Sequence, residues 1–198
     1  MQAGRDLRRE RNAVRRAMRE RRRALGDDER RTLDRAVCAH VMSQPVFRAA
    51  RRIGIYLAFD GEPDLERVIR AAARAHKRLF VPALERREMH FVAFAPQARM
   101  TRNFFGISEP ENAERVDVRK LDLVLTPLVA FDARGGRLGV GRGYFDRCFA
   151  FQRRRRAWFK PKLLGVGYAF QEIPQFALQP WDVPLWGVVT ERGLVRRD

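Results

Sequence analysis

The chain has 198 residues, of which 45% are hydrophobic, so it is long enough to bury a core of its own. Its formal net charge is +17, and only four of its 41 basic residues are lysines. A charge of this size favours anionic partners, namely nucleotides, polyanionic small molecules, nucleic acid or acidic membranes, and does not choose among them.

Two features favour a cytoplasmic location. Cys38 and Cys148 are far apart in sequence and form no CxxC pair, which is typical of buried thiols in a reducing compartment. The basic N-terminus is not followed by an apolar stretch, and no apolar run approaches the ~18 residues of a membrane span. We therefore expect a cytoplasmic protein without a membrane partner.

The N-terminal part of the chain predicts a pair of helices. Residues 5–25 carry apolar side chains at helical spacing, and the arginines between them are interleaved with Asp and Glu, which indicates a solvated basic face. Gly26 is predicted to end this helix and Asp27 to cap the second one. Pro45 is predicted to stop the second helix.

The next segment predicts a strand, a helix and a second strand, over residues 53–59, 63–75 and 79–82. This spacing is typical of a βαβ unit, which requires parallel strands. Glu62 follows the first strand, at the position where open α/β sheets bind their ligands. Because it also precedes a helix, a carboxylate that complements the helix dipole is the alternative interpretation.

The remaining elements complete an α/β pattern. Residues 89–94 predict a further strand, and residues 95–120 are expected to be mostly connection. Residues 163–168 predict another buried strand, and residues 187–195 a terminal hairpin. We predict a single three-layer α/β domain over residues 1–198, with a mostly parallel central sheet and the N-terminal helical pair at its side.

Residues 121–147, LDLVLTPLVAFDARGGRLGVGRGYFDR, are the most informative stretch. They begin as a buried strand, pass through alternate glycines over Gly139–Gly143, and continue into a helix predicted to reach about residue 152. Such glycines let backbone N–H groups approach an anion, and a helix N-terminus adds a favourable dipole. Arg137 and Arg142 flank the loop, and Asp146 offers an oxygen ligand for a divalent cation. We interpret this stretch as a nucleotide-phosphate site.

The loop differs from the two commonest phosphate-binding loops. Arg142 and Gly143 stand where a P-loop requires Lys followed by Ser or Thr. The GxGxG spacing and the lack of an acidic residue ~20 positions later exclude a Rossmann fingerprint. A glycine-rich turn that only joins a strand to a helix is the structural alternative. Asp182, between Trp181 and Val183, is either a second cation ligand or a turn residue.

Several segments in order resemble one family. They are a basic helix with Arg11 and Arg15, YLAFDGEPD (56–64), NFFGISEP (103–110), TPLVAFDARGGRLGVGRGYFDR (126–147) and WDVPLWGVVTE (181–191). Their order resembles the 5-formyltetrahydrofolate cyclo-ligase family, also called 5,10-methenyltetrahydrofolate synthetase. The resemblance implies an enzyme that uses ATP and Mg²⁺ to close 5-formyltetrahydrofolate, with or without a polyglutamate tail, to 5,10-methenyltetrahydrofolate, releasing ADP and phosphate.

The resemblance also implies roles by position. The residues implied to bind ATP are Arg11, Arg15, Arg137, Leu138, Gly139, Val140, Gly141, Arg142, Gly143, Tyr144 and Phe145. Those implied to line the folate pocket are Leu57, Glu62, Val140, Gly141, Arg142, Gly143 and Tyr144. Asp146 and Asp182 would hold Mg²⁺, and Arg142 and Tyr144 are the expected catalytic residues. We expect the protein to be a monomer.

Two other functions stay open at this point. A basic RNA-binding module would use the net charge together with the clusters Arg19 to Arg23 and Arg153 to Arg156. A phosphoryl transferase acting on another acceptor would share the glycine loop, but it would not account for the order of all five segments.

Overall fold

The structure is a computed structural model that describes residues 2–85, 88–103, 106–111, 113–154, 160–175 and 177–196. The predicted N-terminal helical pair is confirmed as α1 (Gln2–Arg23) and α2 (Asp27–Ser43). The predicted cap of α2 is wrong, because extended Gly26 is the N-cap and Asp27 lies in the first turn, where its charge complements the helix dipole. Pro45 begins a short helix, α3 (Pro45–Ala49), which suits a residue without an N–H.

The other elements have the following bounds. The helices are α4 (Glu66–Arg74) and α5 (Tyr144–Cys148), and the strands are β1 (Arg52–Gly54), β2 (Arg78–Glu85), β3 (Glu88–Phe94), β4 (Met100–Arg102), β5 (Ser108–Pro110), β6 (Arg115–Val116), β7 (Leu123–Pro127), β8 (Ala130–Phe131), β9 (Arg137–Leu138), β10 (Lys162–Val166), β11 (Gly187–Thr190) and β12 (Gly193–Arg196). Short 3₁₀ turns occupy 118–120, 150–154 and 169–171.

The central sheet has eight strands in the order β12-β11-β10-β7-β1-β2-β3-β6. The five strands from β11 to β2 run parallel, whereas β12, β3 and β6 are antiparallel to their neighbours. This confirms the mostly parallel sheet, the βαβ unit and the terminal hairpin. The carboxyl ends of the parallel strands therefore meet at one edge, where ligands of open α/β sheets bind.

The core lies on both faces of this sheet, which gives the three predicted layers. On one face, α2 and α4 bury Val37, Val41 and Ile69 against the strands. On the other face, Phe149, which follows α5, packs on Phe91 with ring centroids 6.0 Å apart. Among the helices of the described residues, none combines the length with the apolar character that a membrane span needs.

Two further predictions of local structure are wrong. Residues 53–59 were expected to form one strand, but β1 ends at Gly54. The Ile55 N–H still donates to the Phe80 carbonyl of β2, and the chain then reaches Asp60, which pairs with arginines of α1. The helix predicted from residue 63 begins at Glu66, after the Asp64 carboxylate accepts a bond from the Glu66 N–H. Residues 95–120 are mostly connection, as predicted, with the β4–β5 hairpin and β6 within them.

Candidate active site

A cavity of about 540 Å³ opens at the carboxyl ends of β1 and β7. Every residue assigned to the site from the sequence lines this cavity: Arg11, Arg15, Leu57, Glu62, Arg137, Leu138, Gly139, Val140, Gly141, Arg142, Gly143, Tyr144, Phe145, Asp146 and Asp182. They come from four separate parts of the chain, so the fold brings them together. A cavity of this volume is in the range of small-molecule sites.

The glycine loop follows a tight hairpin formed by β8 and β9. Asp132 closes the hairpin, because its Oδ1 accepts bonds from the N–H groups of Arg134 at 3.0 Å and Gly136 at 2.8 Å. Gly141 and Gly143 then adopt positive φ values of 95° and 65°. The predicted helix after the loop is wrong in length, since α5 has only five residues before a 3₁₀ turn over 150–154. The dipole behind the loop is correspondingly smaller than expected.

Arg137 is the most deeply buried cation of the cavity, with 8% of its surface exposed. Its Nη2 donates to Asp146 Oδ1 at 2.8 Å, while its buried Nε has no hydrogen-bond partner in the described structure. Burial lowers the pKa of Arg137, and the neighbouring Asp146 opposes that shift. A buried N–H without a partner costs free energy, so an anion at this point would stabilise the site.

Helix α1 lies along the glycine loop. Arg15 Nε donates to the Gly139 carbonyl at 2.9 Å, and Arg11 Nη2 donates to Asp182 Oδ2 at 2.6 Å. Burial lowers the pKa of Arg15, and the nearby Arg11 lowers it further. Two like charges held this close, with Arg137 lining the same cavity, make a site that favours a polyanion.

The two carboxylates expected to hold Mg²⁺ both line the cavity. Asp146 Oδ1 also accepts from the Val183 N–H at 3.2 Å, and Asp182 Oδ2 accepts from the Gln179 N–H at 2.9 Å. The second bond closes a turn, so both interpretations of Asp182 fit the geometry. No group of three or more His, Cys, Asp or Glu suited to a metal occurs among the described residues. Two carboxylates fit Mg²⁺ that arrives with phosphate oxygens, because Mg²⁺ commonly takes one or two protein carboxylates and completes its shell with phosphates and water.

Glu62 lines the same cavity as Asp182. It precedes α4 by four residues and its Oε2 accepts from the Phe59 N–H at 3.2 Å, so its interpretation as a helix-start residue is wrong. Burial raises the pKa of Glu62 to about 7, although the charge of Arg22 opposes the shift. No ion pair within the described residues involves Glu62, so its carboxylate is available to a ligand.

Several lining residues were not assigned from the sequence. Asn103 and Glu109 line the cavity and are joined by a bond of 2.5 Å from Asn103 Nδ2 to Glu109 Oε1, which also accepts from the Leu84 N–H. The NFFGISEP segment was a signal for them, although its Phe104 and Phe105 lie outside the described residues.

Trp181 was a further lining residue without an assigned role. It lies next to Asp182 and lines the cavity while keeping 58% of its surface exposed. Sequence patterns carry no signal for such a position, because a tryptophan in a turn is more often part of a core.

Three arginines of the first basic cluster pair within the protein, which argues against an RNA-binding module. Arg22 has only 1% of its surface exposed, so the solvated basic face predicted for the first helix is wrong at this residue. Arg19, Arg22 and Arg23 all pair with Asp60. In the second cluster, Arg153 is exposed and donates to the Pro180 carbonyl, while Arg155 and Arg156 lie outside the described residues.

Comparisons with known proteins agree with this geometry. The sequence pattern of the 5-formyltetrahydrofolate cyclo-ligase family matches residues 7–191. The chain is 34% identical over 184 residues to the 5-formyltetrahydrofolate cyclo-ligase of Escherichia coli K12, covering 87% of this chain and 96% of the relative. It is 34% identical over 161 residues to the cyclo-ligase of Haemophilus influenzae, covering 79% of this chain and 84% of the relative. The solution structure of 5,10-methenyltetrahydrofolate synthetase from Aquifex aeolicus superimposes with a TM-score of 0.81 at 32% identity, over 95% of this chain and 93% of that one. The chain therefore belongs to the 5-formyltetrahydrofolate cyclo-ligase family.

Proposed function

We propose that this protein catalyses the ATP- and Mg²⁺-dependent cyclisation of 5-formyltetrahydrofolate to 5,10-methenyltetrahydrofolate, with release of ADP and phosphate. One observation carries the proposal: a single cavity is lined by an arginine-rich glycine loop that suits a triphosphate and by an unpaired carboxylate that suits a pterin. Both substrates can therefore meet without a covalent intermediate on the protein.

The chemistry needs positioning and charge stabilisation rather than a protein nucleophile. The formyl oxygen attacks the γ-phosphorus of ATP, the bond to the ADP oxygen breaks, and the poor leaving group becomes a phosphate ester. N10 then attacks the formyl carbon and loses its proton. Cleavage of the carbon–oxygen bond releases phosphate and leaves the methenyl bridge. Holding the two substrates in line supplies much of the acceleration.

The arginines of the cavity bind the nucleotide phosphates in this proposal. Arg137 directs its buried Nε, which lacks a protein partner, to a phosphate oxygen. Arg11 and Arg15 approach from α1, and backbone N–H groups of the glycine loop complete the phosphate contacts. Arg142, which is exposed in the loop, moves onto the transferring phosphoryl group and stabilises the charge that develops there.

The folate binds at the Glu62 end of the cavity. The Glu62 carboxylate accepts hydrogen bonds from the N–H groups of the pterin, and Leu57 packs against its ring. Tyr144 lies under the Arg147 guanidinium, 5.2 Å from its ring centroid, and we assign its hydroxyl as a donor to the formyl group. The glycine loop from Val140 to Tyr144 separates the two substrates and contacts both.

Asp146 and Asp182 would hold Mg²⁺, which supplies charge neutralisation of the phosphates when it is bound. Cys38 and Cys148 are both free thiols, which fits our proposal of a cytoplasmic protein. We further propose that residues 1–198 form one cyclo-ligase domain that acts as a monomer.

The test is to incubate the purified protein with 5-formyltetrahydrofolate and Mg-ATP and to follow the absorbance of the methenyl product. We expect product only when ATP and Mg²⁺ are both present, with one ADP formed per methenyl group. ATP consumption without methenyl product would instead support a phosphoryl transferase acting on another acceptor. No turnover together with tight, salt-dependent RNA binding would support the binding module.

A further inference from the structure

The short loop that carries Glu62 is held from one side by arginines of the helical pair. Asp60 and Gly61 both have positive φ values, of 53° and 74°. For a non-glycine residue such as Asp60 this backbone is strained, and it persists only where the surroundings fix it. The contacts that fix it lie outside the substrate-binding residues named above.

The Asp60 carboxylate is the centre of these contacts. Its Oδ2 accepts from Arg19 Nε at 2.6 Å and from Arg22 Nη2 at 3.2 Å, and its Oδ1 accepts from Arg23 Nε at 2.5 Å. Burial alone would raise the pKa of Asp60, but hydrogen bonds from Arg19 and Arg23 and the nearby positive charges lower it. The carboxylate is therefore ionised at neutral pH.

Arg22 connects this carboxylate to the backbone. Its Nε donates to the Asp60 carbonyl at 2.8 Å and its Nη1 donates to the Leu128 carbonyl at 3.3 Å. Leu128 directly follows β7, the strand that leads into the glycine loop. The buried Arg22 guanidinium thus joins the loop that carries Glu62 to the residue that follows β7.

Helix α2 completes the set through Arg30. Its Nη1 donates to the Gly61 carbonyl at 3.1 Å and its Nη2 donates to the Arg22 carbonyl at 2.9 Å. The φ of 74° favours glycine at position 61, where an added Cβ would also lie 2.9 Å from Arg30 Nη1. Glu62 is the next residue along the chain, and its position depends on how this backbone is held.

We propose that Asp60 and Arg22 are positioning residues, which act through the backbone and through their charges to fix the Glu62 carboxylate for the folate. The inference rests on the proposed function, because it assigns Glu62 to the folate. It adds that two residues that contact neither substrate determine how well the folate is bound.

The charged groups that act on Glu62 are Arg19 and Arg22 of α1 and Asp60 of its own loop. The buried Tyr56, after β1, lies close enough to be influenced by the charge of Glu62, and Arg15 and Arg137 line the same cavity. The charges of Arg22 and Arg19 lower the pKa of Glu62, whereas the charge of Asp60 raises it. Neutralising Asp60 and neutralising Arg22 must therefore move the titration of Glu62 in opposite directions.

The test compares Asp60→Asn and Arg22→Gln with the wild-type protein, with Arg31→Gln as the control. Arg31 pairs with Asp28 on the exposed face of α2, so this control also removes one arginine and one ion pair, but away from the cavity. The readouts are KM for 5-formyltetrahydrofolate, KM for ATP, and the pH midpoint of kcat/KM for the folate.

We expect Asp60→Asn to raise KM for the folate by roughly 10-fold with little change in KM for ATP. Its pH midpoint should fall, while that of Arg22→Gln should rise, each by at least about half a pH unit. Arg31→Gln should leave all three quantities unchanged. Since Asn preserves the shape and one acceptor of Asp60, this variant remains informative if Arg22→Gln does not fold.

Equal changes in both KM values, or midpoints that move together, would assign the cluster a purely structural role and overturn the inference. Failure of Asp60→Asn to fold would also assign the cluster a structural role and overturn the inference. If the wild-type protein does not convert 5-formyltetrahydrofolate, the proposed function fails. If the wild type converts it and Asp60→Asn behaves identically, only the positioning role fails.

Discussion

Replacing Glu62 with Gln tests the central assignment of the folate end, because it removes a charge and keeps the size of the side chain. The structure raises the pKa of Glu62 from an ordinary 4.5 to about 7. At 1.36 kcal/mol per pH unit, this difference corresponds to about 3 kcal/mol for ionising the side chain in the folded protein. The side chain keeps some exposure to water, which screens part of that cost, so this figure is an upper limit.

The sign of the effect on stability follows from linkage. Between pH 4.5 and about 7, the folded protein binds a proton at Glu62 that the unfolded chain has released. The stability contributed by this group is therefore present below pH 4.5 and is lost as the pH rises through 7. Glu62→Gln should accordingly be more stable than the wild type at pH 8, by up to about 3 kcal/mol, and should lose this advantage near pH 5.

The pH dependence of folate turnover should be opposite to that of stability. Only the ionised carboxylate accepts two pterin N–H groups, so wild-type kcat/KM for the folate should rise with pH through about 7. Glu62→Gln should raise KM for the folate by roughly 10- to 100-fold and abolish this pH dependence. Urea unfolding at pH 5 and pH 8 measures the stability, and initial rates across the same range measure KM. An unaltered KM, or the same pH dependence of stability in both proteins, would refute the reasoning.

Three further substitutions test the nucleotide end. Asp146→Asn should lower turnover by at least about 100-fold and weaken Mg-ATP binding, measured by calorimetry; unchanged Mg-ATP turnover would remove the metal role from this residue. Arg142→Ala should lower kcat by roughly 100-fold with little effect on folate binding, and equal activity would show a solvent-facing loop residue. Gly141→Ala should weaken ATP binding by about 10-fold, because φ is 95° and the new Cβ would lie 3.2 Å from the Arg15 guanidinium carbon. Gly26→Ala is its control, since nothing lies within 4 Å of a Cβ there, and it should bind ATP as the wild type does.

Most of the fold was predictable because the parallel strands are short apolar runs, and a helical stretch separates the first two of them. Residues 55–59 misled the strand prediction for a physical reason. Ile55 and Tyr56 are both buried, but β1 ends at Gly54, and the Tyr56 hydroxyl donates to the Pro63 carbonyl of the segment that follows. Apolar character predicts burial, and it does not distinguish pairing in a sheet from packing beside one.

The candidate site was predictable from the resemblance and from the glycine loop, while Arg22 was not. An arginine among arginines in a helix has the pattern of a solvated face. It is buried here because Asp60 and the Leu128 carbonyl, distant in sequence, satisfy its N–H groups. The same holds for Glu62, whose raised pKa depends on the tertiary surroundings. Partners of this kind are set by the tertiary structure, so no local pattern indicates them.

The ion pairs of the two candidate metal ligands have a consequence for the form in which Mg²⁺ would bind. Asp146 pairs with Arg137 at 2.8 Å and Asp182 pairs with Arg11 at 2.6 Å. A bare Mg²⁺ ion would have to displace both guanidinium groups from these carboxylates. The phosphate oxygens of Mg-ATP could accept hydrogen bonds from both guanidinium groups, while the two carboxylates would bind the metal. The protein should therefore select the metal as its nucleotide complex and discriminate against the free cation, so that each arginine exchanges one anion for another.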